Sequence, residues 1–184
     1  MHIKSLFYRI LEMIYYFFCK DTMEIKLKRY RLYGAKIGER VRAFSPICSA
    51  EPYLIHIGDD TTISTGVKFI THDNAIKKCV SNGTDLVGPI TIGEHCFIGL
   101  NTILLPGITI ANNCIVGAGS VVASSFLQEN VVIAGNPAKI IGTIDNYRNK
   151  NVESIFDFSG DNKNERRKQI INNPDKWLIR ADRK

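Results

Sequence analysis

Along the middle of the chain an aliphatic residue recurs every six positions: Ile92, Ile98, Leu104, Ile110, Val116 and Val122. The next position is usually small (Gly93, Gly99, Ala111, Gly117, Ala123). Four residues after each aliphatic stands a second inward candidate: Cys96, Thr102, Ile108, Cys114, Ser120 and Phe126. An earlier block, Ile57, Ile63 and Phe69, carries Thr61, Val67 and Asp73 at the same offset, and weaker hexads start at Ile37 and Ala43. Six is neither the helical period nor the alternation of a simple strand. It suits a short strand followed by a corner, with three such units closing a triangular coil. Coils stacked through backbone hydrogen bonds bury one another's aliphatic rows, so stability resides between neighbours. The pattern predicts an all-β solenoid.

Two breaks interrupt it. Around Ala50–Leu54 the phase slips by two residues, which reads as a corner bulge. The stretch from Asn74 to Gly88 keeps no phase and reads as a loop thrown out of the solenoid, a length that in a compact domain points to function or disorder. Solenoid ends expose unpaired strands and need caps. Residues 3–31 have helix-like composition and suit that role, and Asn164–Arg180 reads as a basic helical region interrupted at Pro174, with Trp177 and Leu178 available to pack on a neighbour. The expected organisation is therefore a helical extension over 1–33, a solenoid over 34–144 with its excursion loop at 74–88, and a basic extension over 145–184.

Composition agrees: 26 Ile against 11 Leu favours strands over helices. The most apolar stretch, Leu6 to Cys19, is broken by Arg9 and Glu12, whereas a bilayer span needs about 20 apolar residues. The same charges, with no small-residue cleavage site, argue against a secretory signal. Five cysteines (Cys19, Cys48, Cys79, Cys96, Cys114) without paired spacing suit a reduced, cytoplasmic chain. The formal charge of +6 belongs to the ends: +4 over residues 1–34 and +3 over 145–184, around a middle of −1. A nucleic-acid face would instead carry a basic stripe with interleaved aromatics across the folded middle, so nucleic acid is not expected as a partner.

The hexads, taken with GPITIGEHCFIG, ILLPGITIANNCIVGAGSVV and VVIAGNPAKIIG, resemble the hexapeptide-repeat acyltransferases, and most closely the branch of maltose, galactoside and polysaccharide O-acetyltransferases. The likeness covers about residues 34–144. It implies a left-handed parallel β-helix, a homotrimer, acetyl-CoA as donor and an active site in the cleft between adjacent subunits.

Within that resemblance His72, in Ile70-Thr71-His72-Asp73 just before the excursion, matches a general-base histidine. A sugar hydroxyl is a poor nucleophile at neutral pH, and a neutral imidazole can take its proton as it attacks a thioester. Such a base needs its other ring nitrogen fixed. Asp73 is adjacent, and Glu51 lies 21 residues earlier, roughly one coil plus the slip below; both carboxylates are candidates for the orienting group. The donor is expected along Gly99, Leu100, Gly117, Ala118 and Ala123, where small residues let a ligand approach the backbone. Lys139 of GNPAK matches a position that contacts CoA phosphate, while Ser124 stands where relatives commonly carry a lysine. Asn74 and Asp85 of the loop, with Phe97 in place of a tryptophan, are the acceptor-side candidates. A metal site is not expected: the γ-class carbonic anhydrases of the same fold pair two histidines five residues apart, and here those positions hold Leu100 after His95 and Lys77 after His72.

The expected activity is acetyl transfer from acetyl-CoA to a sugar hydroxyl in capsule, lipopolysaccharide or other surface-polysaccharide assembly. Two other readings stand beside it: N-acetylation of a nucleotide-linked amino sugar, and a non-catalytic trimeric scaffold. The N-terminal apolar stretch, with Lys4, Arg9, Lys20 and Lys26, has two readings of its own: packing on the β-helix, or peripheral contact with the inner membrane face.

Overall fold

The structure is a computed structural model describing residues 2–18 and 22–180; Cys19 and Lys20 lie outside the described residues. Three parallel sheets make up the middle of the chain. Sheet 1 contains Lys36–Ile37, Ile55–Ile57, Ile90–Ile92 and Thr109–Ile110. Sheet 2 contains Arg42–Ala43, Thr62–Ile63, Phe97–Ile98, Ile115–Val116 and Val131–Gly135. Sheet 3 contains Lys68–Phe69, Ile103–Leu104 and Val121–Val122. The chain visits sheets 1, 2 and 3 in rotation. Register returns after eighteen residues where the hexads are unbroken: Thr91 pairs with Thr109, Phe97 with Ile115 and Ile103 with Val121. The slip lengthens one circuit to twenty, Lys36 with His56, and the excursion lengthens another to thirty-five, His56 with Thr91.

The hexad aliphatics fill the interior. Ile63, Ile98, Leu104, Val116 and Val122 are fully buried, and so are the polar members of the second row, Thr61, Thr102 and Ser120. A buried hydroxyl is tolerated only with a partner. Thr61 donates to the Gly93 carbonyl and accepts from the Cys96 amide; Thr102 donates to the Gly99 carbonyl and Ser120 to that of Gly117. Two members of that row depart from the pattern. Phe126 is half-buried and Asp73 is exposed, because at Asp73 the chain has already left the coil.

The corner from sheet 1 to sheet 2 holds Arg40, Asp60, His95, Asn113 and Asn130, all left-handed with φ between 53° and 61°. Coil-to-coil hydrogen bonds hold the last four there: the Asp60 amide to Glu39, His95 to Asp59, Asn113 to Glu94 and Asn130 to Asn112. His95 is thus an exposed corner residue, whereas His56 lies within a strand of sheet 1 rather than at a corner.

Helices α1 (His2–Phe18) and α2 (Met23–Leu32) precede the coil. Leu27 and Tyr30 of α2 are buried in the same core as Ile37, Ala43 and Ile47. Arg31 donates to the carbonyls of Ile37 and Gly38, satisfying groups on the first strand. At the other end Ala138–Thr143 pairs antiparallel with Val131–Gly135 and closes sheet 2. Residues after Ile144 form a separate unit with α3 (Ile144–Asn151) at its start and α4 (Lys163–Asn172), the latter opened by a capping box between Asn162 and Glu165. In it Pro174 begins a short 3-10 turn, and Trp177 donates its indole N–H to the Ile170 carbonyl.

Candidate active site

His72 sits where sheet 3 turns toward sheet 1. After Phe69 the chain leaves the coil, and His72–Asp73 pairs antiparallel with Leu86–Val87, so the excursion is the tip of a hairpin with a 3-10 turn over Asn74–Lys78. It returns at Gly88, whose amide donates to the Thr71 carbonyl.

Glu51 rises from the coil below. Its Oε2 lies 2.9 Å from His72 Nδ1 and also accepts the Thr71 hydroxyl at 2.6 Å. A nitrogen facing an ionised carboxylate carries the proton, which leaves the Nε2 lone pair free to accept another. The bond from Thr71, and then that from His72, hold the Glu51 carboxyl below the usual carboxylate range. Hydrogen bonding and charge from Glu51 raise the His72 pKa, with smaller contributions from Asp85 and Asp73. The His72 side chain remains 39% exposed, so Nε2 is accessible, against 21% for Glu51.

Of the two carboxylates left open by the sequence, Glu51 is therefore the one bound to the imidazole. Asp73 is turned away: its carboxylate accepts the Ala75 amide and caps the 3-10 turn, as neighbours on a strand point to opposite faces. Two members of the relay escaped sequence reading. Thr71 is buried beside the histidine, and its hydroxyl meets that of Ser49. Since the Thr71 proton goes to Glu51, Ser49 is the donor to Thr71. The available signal was spacing: Glu51 precedes Thr71 by twenty residues, the same slipped circuit that pairs Lys36 with His56.

The remaining candidates fall at separate places around the coil. Gly99, Leu100, Gly117 and Ala118 stack at the corner from sheet 2 to sheet 3, with Leu100 and Ala118 exposed. Ala123 and Ser124 are exposed and follow Val122 at the offsets that Ile70 and Thr71 hold after Phe69, on the corner that carries His72. Lys139 is exposed on the closing antiparallel strand. Asn74 opens the 3-10 turn and Asp85 precedes the returning strand, both exposed. Phe97, 44% exposed, lies on sheet 2, across the coil from the corner that carries His72. One chain thus assembles the Ser49–Thr71–Glu51–His72 relay but does not bring Phe97 to it.

Comparison with known proteins agrees with this architecture. Residues 89–124 match the family described as the hexapeptide repeat of succinyl-transferase. The chain is 44% identical over 151 residues to Protein CapG of Staphylococcus aureus, covering 78% of this chain and 86% of that one. It is 32% identical over 133 residues to the putative colanic acid biosynthesis acetyltransferase WcaF of Escherichia coli K12, covering 60% and 70%. A galactoside acetyltransferase solved in complex with coenzyme A shares the fold, with a TM-score of 0.51 at 24% identity over 79% of this chain and 83% of the other. The six-residue period, the three-sheet rotation it builds and the extent of these matches lead to one assignment: the chain belongs to the hexapeptide-repeat acyltransferases.

Proposed function

We propose that this acyltransferase moves an acetyl group from acetyl-CoA to a hydroxyl of a sugar in surface-polysaccharide assembly, with His72 as general base. The observation that carries the reading is the His72–Glu51 pair, which leaves Nε2 accessible and basic. Nε2 takes the proton of the acceptor hydroxyl as its oxygen attacks the thioester carbonyl. Backbone N–H groups stabilise the negative charge on the carbonyl oxygen. Collapse expels the CoA thiolate, which recovers the proton from the imidazolium, so the products are an acetyl ester and free CoA.

The donor is assigned to the small-residue columns, Gly99, Leu100, Gly117 and Ala118 at one corner and Ala123 and Ser124 at the other, with Lys139 as the cation for its phosphates. Asn74, Asp85 and Phe97 are assigned to the acceptor. Because Phe97 and His72 lie on opposite sides of one coil, a shared acceptor cleft needs two chains. That supports a homotrimer of left-handed β-helices with sites between subunits. The colanic acid assignment of WcaF supports a glycan acceptor, and the acyl donor together with cysteines lacking paired spacing supports a cytoplasmic setting.

Release of CoA thiol from acetyl-CoA, followed with neutral oligosaccharides, amino sugars and serine in turn, tests the assignment. Turnover is expected with the neutral oligosaccharides; turnover confined to an amine acceptor would replace O-acetylation with N-acetylation.

A further inference from the structure

Helix α1 is amphipathic in the wrong sense for a helix that simply packs on its own chain. At 100° per residue, Met13, Leu6, Ile10, Ile14 and Phe7 form one continuous apolar arc, and Lys4 and Arg9 border it on either side. A surface helix ordinarily turns such an arc inward. Here the side that faces the chain carries Tyr8, Leu11 and Glu12, all half-buried. Glu12 accepts from Arg29 of α2 at 2.5 Å and lies 3.7 Å from Lys26, and its side chain is only 20% exposed. The apolar arc faces outward, with Leu6 57%, Phe7 59%, Ile10 45%, Met13 65% and Ile14 46% exposed. Half-burying an ion pair while leaving five large apolar side chains in water is unfavourable unless something else covers them.

We infer that this face is a docking surface for an anionic phospholipid bilayer, with α1 lying in the plane of the interface. Charge selects this occupant over a second copy of the chain. Residues 1–34 carry seven basic and three acidic side chains, so pairing two copies through this face would bring two +4 segments together. An anionic lipid surface attracts the same charge, and cations bordering an apolar arc are what an interfacial helix needs. Length sets the orientation. Seventeen residues span about 25 Å at 1.5 Å each, less than the roughly 30 Å hydrocarbon core, and Arg9 and Glu12 charge the rest of the helix surface. Among the described residues no helix is long and apolar enough to cross a membrane.

Co-sedimentation of the full chain with vesicles tests this without reference to catalysis. The protein is expected to pellet with phosphatidylcholine vesicles containing phosphatidylglycerol, to bind pure phosphatidylcholine more weakly, and to release as salt is raised. The double variant Leu6→Glu/Ile10→Glu should bind at least about tenfold more weakly, having lost the burial of two apolar side chains. Its circular dichroism and its mass by light scattering should match the parent, since both positions are exposed. The milder Ile10→Gln should weaken binding in the same direction. Parent protein that stays in the supernatant, equal binding by parent and variants, or a smaller oligomer in the double variant would overturn the inference; the last would make the face a subunit contact.

Discussion

At the scale of residues, the proposed chemistry rests on one oxygen. Glu51 Oε2 receives both the Thr71 hydroxyl and the Nδ1 side of His72, so the carboxylate is held ionised and the imidazole is held with Nε2 outward. The pH dependence follows from the direction of the His72 shift. Glu51 raises that pKa by stabilising the imidazolium, and only the neutral ring can accept a proton. Activity should therefore fall as pH drops through a value above the ordinary histidine pKa of about 6.5. In Glu51→Gln the charge is lost, the pKa moves back down, and the acidic limb of kcat/KM shifts to lower pH. The plateau rate falls as well, by up to about 10⁴-fold, the effect of the corresponding exchange in a serine-protease triad. A limb that stays where it was would remove Glu51 from the site. The Glu51–His72 contact was legible because coil length and a two-residue slip are countable. The choice of Glu51 over Asp73 was not, since it depends on which way a strand residue points as the chain leaves the coil. Thr71 was hidden because buried hydroxyls also fill this core for structural reasons, as Thr61, Thr102 and Ser120 do, and Ser49 is half-buried just before the slip, where the hexad phase gives no guide.

At the scale of elements, strands of two residues carry the fold because each is locked to its counterpart one circuit away. The corners must then be thin. A Cβ on Gly99 would stand 2.5 Å from the Ala118 nitrogen and 2.6 Å from the Val116 oxygen, backbone atoms that cannot move without parting the coils. Gly99→Ala is expected to cost about 1–3 kcal/mol, measured by denaturant unfolding; an unchanged midpoint would show that the coils are less tightly stacked than described. The six-residue period exposed these strands directly. It could not reveal the hairpin of His72–Asp73 with Leu86–Val87, nor the antiparallel closure by Ala138–Thr143, because both lie outside the repeat. The helical character of residues 3–31 was visible in composition. That α1 turns its Glu12 side toward α2 was not, since it depends on where Arg29 and Lys26 stand when α2 is in place.

At the scale of the whole molecule, residues 35–144 carry a net −1, and the charge of +6 belongs to the segments before and after them, +4 over 1–34 and +3 over 145–184. The coil repeats one solution eighteen residues at a time and departs from it at the slip and the excursion. Those two departures meet: the slip delivers Glu51, and the excursion begins at His72. The central claim is that this meeting point does the proton transfer. Steady-state release of CoA with a glycan acceptor, comparing the parent with His72→Ala, tests it most directly. A fall in kcat of about 10²–10⁴-fold with an unchanged fold is expected for loss of a positioned general base. A His72→Ala protein that turns over within about threefold of the parent would contradict it, since an alanine cannot accept the proton.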